Sequence, residues 1–355
     1  MIDTLPIRIQ AITASRLTEL DPAHIEFGKM FSDHMLIVDY HDGAWQEPHI
    51  LPYGDMAVSP ANSALHYGQA IFEGLKAYHQ ADGGVSIFRP LDNLHRLNAS
   101  AARMCMPALP EEIFMQGLRE LIKLDAAWVP DATGAALYIR PFMFATDGFI
   151  GVRPSDSYRF VIFTCPVGVY YTKPLRVRFE QHFVRSAEGG TGFAKAAGNY
   201  GGAMYPSKLA QEEGYHQLLW TDASAHEYIE ESGTMNVMFV LDGCLITPAL
   251  SSSILDGITR RSVLQLAHDM GMPVAERRVS SHEIVAALQA GTLQEAFGVG
   301  TAATIAPIAT IGHEGHDYDL PAPTADAFSR RVSQALEAIR TGAGPDVHGW
   351  MVAVQ

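Results

Sequence analysis

Residues 188–204 (EGGTGFAKAAGNYGGAM) contain the side chain with the greatest capacity for chemistry. Lys195 is the only basic residue between Arg185 and Lys208, and its neighbours are glycine, alanine and one phenylalanine. A lysine is most often a solvated surface residue, but small apolar neighbours are typical of a buried strand that another group approaches closely. Burial lowers the pKa of a lysine, and a neutral amine is the nucleophile that forms a Schiff base with an aldehyde cofactor. The stretch therefore indicates either a surface lysine or a covalent cofactor site.

A pyridoxal phosphate site would need a carboxylate for the pyridine nitrogen, a phosphate cradle and a partner for the phenolic oxygen. The run HEYIEESGTMN offers Glu227, Glu230 and Glu231. Because successive strand residues face opposite sides, Glu230 and Glu231 cannot both point into one pocket. By itself the run is more typical of a solvated acidic edge, and it leaves the choice of carboxylate open.

Two glycine-bearing turns offer material for a phosphate cradle. LDGITRRSV places Gly257, Ile258 and Thr259 at the start of a predicted helix, where backbone N–H groups and the helix dipole attract an anion. GVGTAA offers Gly300 and Thr301 in a turn that can present amides and a hydroxyl. Most turns of either kind are purely structural, so neither alone defines a site.

Two arginines are further candidates for contact with an anionic ligand. Arg96 lies in a predicted helix (DNLHRLNASAARM), where an arginine normally occupies the exposed polar face. Tyr138 and Arg140 are two apart on a predicted strand, LYIRPFMF, and therefore project from the same face. Such a pair can recognise a carboxylate, or it can simply reach solvent at the end of the strand.

The elements that must position these groups are mixed. Apolar periodicity, Gly and Pro punctuation and a capping box at Ser280 and Glu283 predict both helices and strands. Predicted helices cover 92–104, 110–127, 205–213, 259–270 and 324–340, and predicted strands cover 34–40, 135–144, 158–169, 217–221, 227–231, 236–241 and 244–247. This mixture indicates an α/β (α+β) enzyme core. We place a smaller N-terminal domain at 1–168, an interdomain linker at 169–180 and a larger C-terminal domain, carrying Lys195, at 181–355.

Composition excludes several classes of partner. The 355 residues include 25 basic and 39 acidic side chains, a formal net charge of −14, whereas nucleic-acid binding needs a basic stripe. The start of the chain lacks the charged and apolar regions of a secretory signal. The longest uncharged stretch, 296–313, contains Gly, Pro and Thr, which favours a buried turn and strand over a membrane helix. We expect no nucleic-acid or membrane partner.

Cysteine usage and charge content indicate compartment and assembly. The cysteines, Cys105, Cys165 and Cys244, have no CxxC spacing and leave one unpaired in any disulfide scheme. A reducing, cytoplasmic location without a metal site is the simplest interpretation. Only 18% of residues are charged and 48% are hydrophobic, which suggests a buried subunit interface besides a large core.

Taken together and in this order, the segments resemble one family, the branched-chain amino acid aminotransferases, which are pyridoxal 5′-phosphate enzymes of fold type IV. The matching segments run from residue 64 to 303 and are specific in combination. They are ALHYGQAIFEGLKAY (64–78), FRPLDNLHRL (88–97), LYIRP (137–141), PVGVY (166–170), FAKAAGNYGG (193–202), EESGTMN (230–236), LDGITR (255–260) and GVGTAA (298–303).

The resemblance implies a role for each candidate residue. Lys195 would bind the cofactor aldehyde, Tyr200 its phenolic oxygen and Glu231 its pyridine nitrogen, with Thr234 in the turn beside the cofactor. The phosphate-binding positions would be Arg96, Ile258, Thr259 and Thr301, and the substrate-facing positions would be Tyr67, Phe72, Tyr138, Arg140, Tyr170, Thr301 and Ala302. The CxxC pair of some relatives is replaced by Ala303 and Ala306, so a thiol switch is not expected.

The resemblance also implies the two-domain D-amino-acid-aminotransferase-like fold and an activity. The expected reaction is ping-pong transfer of the amino group of L-leucine, L-isoleucine or L-valine to 2-oxoglutarate, in a homodimer. A D-amino acid aminotransferase or an aminodeoxychorismate lyase of the same fold is the alternative. A nicotinamide enzyme is poorly supported, because no GxGxxG follows a strand with an acidic residue some 20 positions on.

Overall fold

The computed structural model describes residues 5–22, 24–168, 171 and 173–354 and divides the chain into two compact units. The first unit comprises Met1–Tyr170, Ala194–Gly198 and Glu337–Gln355, and the second comprises Tyr171–Phe193 and Asn199–Leu336. This division differs from the predicted domains in assigning the segment with Lys195 to the first unit. The stretch predicted as a linker, 169–180, includes a strand of the second unit. The domain boundaries remain a prediction.

The first unit is built on a ten-stranded sheet with the strand order β1-β4-β2-β9-β8-β6-β7-β19, where β3 pairs with β2 and β5 with β8. The strands are β1 (Arg8–Ile9), β2 (His34–His41), β3 (Ala44–Trp45), β4 (His49–Pro52), β5 (Ala70–Phe72), β6 (Leu75–His79), β7 (Val85–Phe88), β8 (Ala136–Ala145), β9 (Tyr158–Val167) and β19 (Met351–Ala353). The helices are α1 (Ser63–Tyr67), α2 (Pro90–Arg103) and α3 (Glu111–Leu124).

Strand β8 lies at the centre of this unit and positions its candidate residues. It pairs along its whole length with β9, and its other edge pairs with β6, where Tyr138 stands opposite Lys76, and with β5, where Phe142 stands opposite Phe72. Helices α2 and α3 contribute an apolar stripe to the core, including Leu97 and Phe114, both fully buried. The predicted central strands at 135–144 and 158–169 agree with β8 and β9 to within two residues.

The second unit contains a nine-stranded sheet with the order β12-β11-β10-β17-β16-β13-β14-β15, to which β18 is joined through β17. The strands are β10 (Leu175–Phe179), β11 (Gln217–Thr221), β12 (Ile229–Ser232), β13 (Asn236–Leu241), β14 (Cys244–Thr247), β15 (Val274–Glu276), β16 (Leu293–Gly300), β17 (Thr304–His313) and β18 (His316–Asp319). The helices are α4 (Gly198–Gly201), α5 (Met204–Glu212), α6 (Ile258–Asp269), α7 (Ser281–Ala290) and α8 (Phe328–Arg340), of which α4 and α8 begin in one unit and end in the other.

The capping box predicted for α7 forms only in part. Ser280 is the N-cap residue, and its hydroxyl accepts a hydrogen bond from the Glu283 N–H at 3.0 Å. The Glu283 carboxylate does not return to Ser280, because Arg277 binds it, with Nη1 2.9 Å from Oε2. An arginine six residues upstream thus replaces the second half of the box. No helix in the described part of the chain combines the length and the apolar character needed to cross a bilayer.

Candidate active site

Lys195 lies in the segment Ala194–Gly198, which runs beside β5 in the first unit. The Phe72 N–H donates to the Lys195 carbonyl at 3.0 Å, and the Lys195 N–H donates to the Ser100 hydroxyl oxygen at 2.9 Å. An isolated antiparallel bridge between Ile71 and Ala196 extends this pairing. The backbone on both sides of Lys195 is therefore anchored to β5 and α2.

The Lys195 side chain is less buried than the segment that carries it. Ala194 and Ala196 are buried, at 1% and 2% exposure, whereas Lys195 is partly exposed. Because successive residues of an extended segment face opposite sides, the two alanines occupy the inward positions and Lys195 projects the other way. The small apolar neighbours therefore indicate that the segment is buried, but they do not indicate that the amine is buried.

Phe72 lies between two cationic side chains. The Lys195 Nζ lies 4.7 Å and the Arg140 Cζ 4.8 Å from the centre of its ring. The Arg140 Nη2 also donates to the Tyr138 hydroxyl at 3.0 Å, which confirms that Tyr138 and Arg140 share one face. The first unit thus brings together four predicted site residues as an amine, an aromatic ring, a guanidinium and a phenol.

Two residues that the sequence analysis did not single out shape the surroundings of Tyr138. A Cβ atom on Gly74 would lie 2.1 Å from the Tyr138 hydroxyl oxygen, so only glycine admits that side chain. The Phe27 ring packs edge-on against Tyr138 with its centre 5.0 Å away. Gly74, in the segment FEGLK, is the sequence feature from which the first of these contacts could have been predicted.

Arg96 is held by a carboxylate that sequence reasoning missed. Its Nε and Nη2 lie 2.7 and 2.8 Å from the two carboxylate oxygens of Glu73, which is fully buried. The Ser100 hydroxyl donates to the Arg96 carbonyl and accepts from the Lys195 N–H, so α2 connects both predicted residues. The bidentate pair fixes the plane of the guanidinium. Glu73 adjoins Phe72 in the sequence, but it lies 23 residues from Arg96.

The remaining substrate-facing candidates of the first unit are less constrained. Tyr67 ends α1 and is 43% exposed. The following residue, Gly68, has a φ of +66° and approaches the Cα of Gly198, so Tyr67 lies near the end of the segment with Lys195. Tyr170 lies outside the described residues.

In the second unit, Glu231 is a buried carboxylate held by a backbone N–H and by an ion pair with an arginine. Its Oε1 accepts from the Leu255 N–H at 2.8 Å, and its Oε2 lies 3.3 Å from the Arg185 Nε. Glu230, next to it on β12, accepts instead from the Ser253 hydroxyl, and burial raises the pKa of Glu230 to about 7. The two carboxylates thus accept from different donors, while the charges of Arg185 and Glu231 also act on Glu230. Arg185, 46 positions from Glu231, gave no signal in the sequence.

The start of α6 is positioned by Asn236. The Asn236 side-chain amide donates to the Leu255 carbonyl at 2.9 Å, and a Cβ on Gly257 would lie 2.0 Å from the Asn236 Oδ1. Gly257 is the N-cap residue of α6, so Ile258 and Thr259 form its first turn, whose N–H groups have no acceptor within the helix. The predicted helix start is present, and both residues are buried.

The second predicted phosphate element is the turn of the β16–β17 hairpin. Thr301 and Ala302 are partly exposed turn residues between Gly300 and Thr304, which pair across the hairpin. A Cβ on Gly300 would lie 3.2 Å from the Met235 Cγ. Met235 adjoins Asn236, so two neighbouring residues contact the two predicted phosphate elements, one residue for each element.

Tyr200 and Thr234 are placed on the surface of the second unit. Tyr200 lies in the short helix α4 and is partly exposed, and the preceding loop is tied by the Thr191 hydroxyl, which donates to the Asn199 Oδ1 at 2.6 Å. Thr234 is exposed in the tight turn between β12 and β13. No cluster of three metal-ligating side chains occurs among the residues that the structure describes.

Comparison with known proteins gives the class. The amino-transferase class IV profile matches residues 70–311. "Branched-chain-amino-acid aminotransferase 2" of Bacillus subtilis is 41% identical over 352 residues, which cover 98% of this chain and 97% of that protein.

Two solved structures are similar to the whole fold. The branched-chain aminotransferase of Thermoproteus uzoniensis with norvaline has a TM-score of 0.75 at 25% identity and covers 91% of this chain and 100% of its own. The branched-chain amino acid aminotransferase of Thermobaculum terrenum in its PLP form has a TM-score of 0.70 at 25% identity, covering 90% of this chain and 98% of its own.

The chain therefore belongs to the class IV aminotransferases. Within that class it is a branched-chain amino acid aminotransferase, and the predicted family, fold type, enzyme class and pyridoxal 5′-phosphate dependence are confirmed. Its residues fit the cofactor chemically. An amine, a buried carboxylate held by a backbone N–H and an ion pair, and a helix start at Gly257 are the groups that the aldehyde, the pyridine nitrogen and the phosphate require.

Proposed function

We propose that this chain catalyses the reversible transfer of the amino group of L-leucine, L-isoleucine or L-valine to 2-oxoglutarate, giving branched 2-oxo acids and L-glutamate. The observation that carries the proposal is the placement of Phe72 between the Lys195 amine and the Arg140 guanidinium. An aromatic ring suits an aliphatic side chain, and a cation beside it suits the distal carboxylate of glutamate. The names of the relatives support the same substrates.

Lys195 is proposed as the residue that binds the cofactor aldehyde and moves the proton. When bound, pyridoxal phosphate supplies an electron sink for the negative charge that develops at the α-carbon. The Lys195 Nζ then takes the α-proton of the donor amino acid and, in the second half-reaction, returns a proton to the α-carbon derived from the oxo acid. The hydrogen bonds of its backbone to Phe72 and Ser100 support this role by holding the segment in place.

Glu231 is proposed to keep the pyridine nitrogen protonated. A buried carboxylate beside Arg185 and the Leu255 N–H is favoured as the anion, and an anion stabilises a proton on a neighbouring ring nitrogen. Tyr200 is proposed as the partner of the phenolic oxygen, and Thr234 as a residue of the turn beside the ring.

The phosphate is proposed to bind to the N–H groups of Ile258 and Thr259, to Thr301 and to Arg96. The helix start supports this by its positive end and its open N–H groups. Glu73 supports a positioning role for Arg96, since the bidentate pair fixes the guanidinium.

The remaining proposed contacts are with substrate. Phe72, Tyr67 and Tyr170 would contact the aliphatic side chain, Tyr138 and Arg140 the distal carboxylate of glutamate, and Thr301 and Ala302 the α-carboxylate through their backbone amides.

We further propose a homodimer in the cytoplasm. Large apolar side chains of the first unit stand exposed at Leu65, Phe149, Ile150 and Val152, the last at 92% exposure, which supports a self-interface there. The free cysteines Cys105, Cys165 and Cys244 support a reducing compartment. Sedimentation equilibrium would return the mass of two chains if this is right, and the mass of one chain would refute it.

The substrate proposal is tested by a coupled assay of L-leucine, D-alanine and L-phenylalanine as donors to 2-oxoglutarate. L-leucine should be transaminated with the highest kcat/KM. A preference for D-alanine would replace the proposal with the D-amino acid alternative. Incubation with aminodeoxychorismate alone is the second arm, and release of pyruvate from it would replace the proposal with the lyase.

A further inference from the structure

Lys195 belongs to a closed circuit of contacts within the first unit, which we call the Lys195 circuit. The Lys195 carbonyl oxygen accepts from the Phe72 N–H, and the next residue, Glu73, binds the Arg96 guanidinium with both carboxylate oxygens. The Arg96 carbonyl oxygen accepts from the Ser100 hydroxyl at 3.0 Å, and the Ser100 oxygen accepts from the Lys195 N–H at 2.9 Å. The circuit therefore begins and ends at the two peptide groups beside the Lys195 Cα.

Ser100 closes this circuit with a single hydroxyl group. The side chain is 1% exposed and lies in α2, four residues after Arg96. Because the hydroxyl hydrogen is donated to the Arg96 carbonyl, the oxygen remains available as an acceptor, and the Lys195 N–H uses it. The hydroxyl thus has a defined donor and a defined acceptor, and rotation would break the bond to Arg96.

A role within the helix alone would not favour serine at position 100. Alanine is preferred over serine in a helix interior, and a bond from a serine to the carbonyl four residues earlier slightly destabilises a helix. The neighbouring core positions of α2, Leu97 and Ala101, are apolar and fully buried. The hydroxyl is explained by the Lys195 N–H, which would lose this acceptor if alanine stood there.

The Lys195 circuit fixes the direction in which the lysine side chain leaves the backbone. The direction of the Cα–Cβ bond follows from the two adjacent peptide groups, of which Phe72 holds one and Ser100 the other. A misplacement of about 1 Å in an active site can cost on the order of 100-fold in rate. Ser100 itself is too deeply buried to reach a substrate, so its effect passes through Lys195.

We propose that Ser100 is a positioning residue for the proton transfer that Lys195 performs. It acts through the Lys195 backbone, and it ties the lysine to the helix that carries Arg96, the proposed phosphate ligand. The inference rests on the proposed function of Lys195 and deepens it by naming a side chain that sets the rate of that step. Loss of the hydroxyl slows proton transfer and leaves the affinity for the amino acid unchanged.

The test follows the first half-reaction of the holoenzyme by rapid mixing with L-leucine and with α-deuterated L-leucine. The change in cofactor absorption gives the maximal rate and the half-saturating concentration. In Ser100→Ala the maximal rate should fall by about 10- to 100-fold, with an unchanged half-saturating concentration and a deuterium isotope effect at least as large as in the unaltered enzyme. Ser86→Ala, at a buried serine of β7, is the matched control and should keep the maximal rate.

Hydrogen exchange measures the same contact and needs no variant. Mass spectrometry of residues 188–204 at single-residue resolution should find the Lys195 amide protected in the unaltered holoenzyme and apoprotein. In Ser100→Ala that amide should exchange about tenfold faster. An unprotected Lys195 amide in the unaltered holoenzyme would overturn the proposal even if Ser100→Ala failed to fold.

The outcomes separate this inference from the proposed function. Full turnover in Lys195→Ala would overturn the role of the lysine and, with it, the role of Ser100. An inactive Lys195→Ala together with an unchanged maximal rate in Ser100→Ala would overturn the role of Ser100 alone.

Discussion

The Lys195 amine and the Phe72 ring are joined twice, by a 3.0 Å hydrogen bond from the Phe72 N–H to the Lys195 carbonyl and by the approach of Nζ to 4.7 Å from the ring centre. The backbone contact fixes where the lysine leaves the chain, and the ring limits where its amine can go. Arg140 lies on the same ring. This relationship places the proposed proton-transfer group and the proposed carboxylate receptor on one aromatic side chain.

Replacing Arg140 should change the kcat/KM for one acceptor substrate much more than the kcat/KM for another. Arg140→Leu removes a charge-assisted hydrogen bond worth about 1.5–3 kcal/mol, so kcat/KM for 2-oxoglutarate should fall by about 10–150-fold. The value for 4-methyl-2-oxopentanoate, which has no distal carboxylate, should change little. Arg8→Leu, an exposed arginine of the same unit, is the control. Equal losses for both acceptors would contradict a role in carboxylate recognition.

Removing Arg185 should lower both the unfolding free energy and the cofactor affinity, because Glu231 loses its ion-pair partner. Both side chains of this pair are at most 9% exposed, and breaking a buried ion pair by removing one partner costs about 3–5 kcal/mol. Arg185→Leu should therefore lower the unfolding free energy by about that amount and weaken cofactor binding, whereas Arg185→Lys should recover part of both. Urea unfolding and cofactor titration measure the two effects. A stable Arg185→Leu with normal cofactor affinity would show that Glu231 does not depend on this partner.

The start of α6 should not tolerate a side chain at position 257. The Cβ of Gly257→Ala would meet the Asn236 Oδ1 at 2.0 Å, so the first turn of the helix must shift. We expect cofactor affinity to fall at least about tenfold, equivalent to about 1.4 kcal/mol. Gly54→Ala, where a Cβ has no neighbour within 4 Å, is the matched control. Unchanged affinity in Gly257→Ala would exclude this turn from phosphate binding.

Glu230 should make stability depend on pH around neutrality. Burial raises its pKa in the folded chain to about 7 from 4.5, so the folded state holds a proton that the unfolded state has released. The contribution of Glu230 to the unfolding free energy should therefore be fully present at and below pH 4.5 and be lost as pH rises towards 7, by up to about 3 kcal/mol. Urea titrations of the apoprotein at pH 5 and pH 8 measure this, and Glu230→Gln should reduce the loss. An identical pH dependence in that variant would contradict the shift.

Contacts close in the sequence were predicted well, and long-range pairs were not. The shared face of Tyr138 and Arg140 follows from strand alternation, and the helix start at Gly257 follows from turn composition. Two ion pairs, Arg96 with Glu73 and Arg185 with Glu231, depend on how separate elements pack. No local sequence pattern therefore predicts them. On the short segment with Lys195, the alanines rather than the lysine point inward, and the composition of the segment does not distinguish these positions.

Family resemblance supplied what local patterns left open. The run containing Glu227, Glu230 and Glu231 did not identify one carboxylate by itself, whereas the structure separates Glu230 and Glu231 by their donors. The division into units was beyond the sequence as well, because the segment Ala194–Gly198 joins the first unit through its pairing with β5.

The central claim is that Lys195 binds the cofactor and moves the proton. Borohydride reduction of the holoenzyme followed by peptide mass spectrometry should find the phosphopyridoxyl group on Lys195, and Lys195→Ala should keep its circular dichroism spectrum while losing the label and turnover. Label on another lysine, or full turnover in Lys195→Ala, would contradict the account.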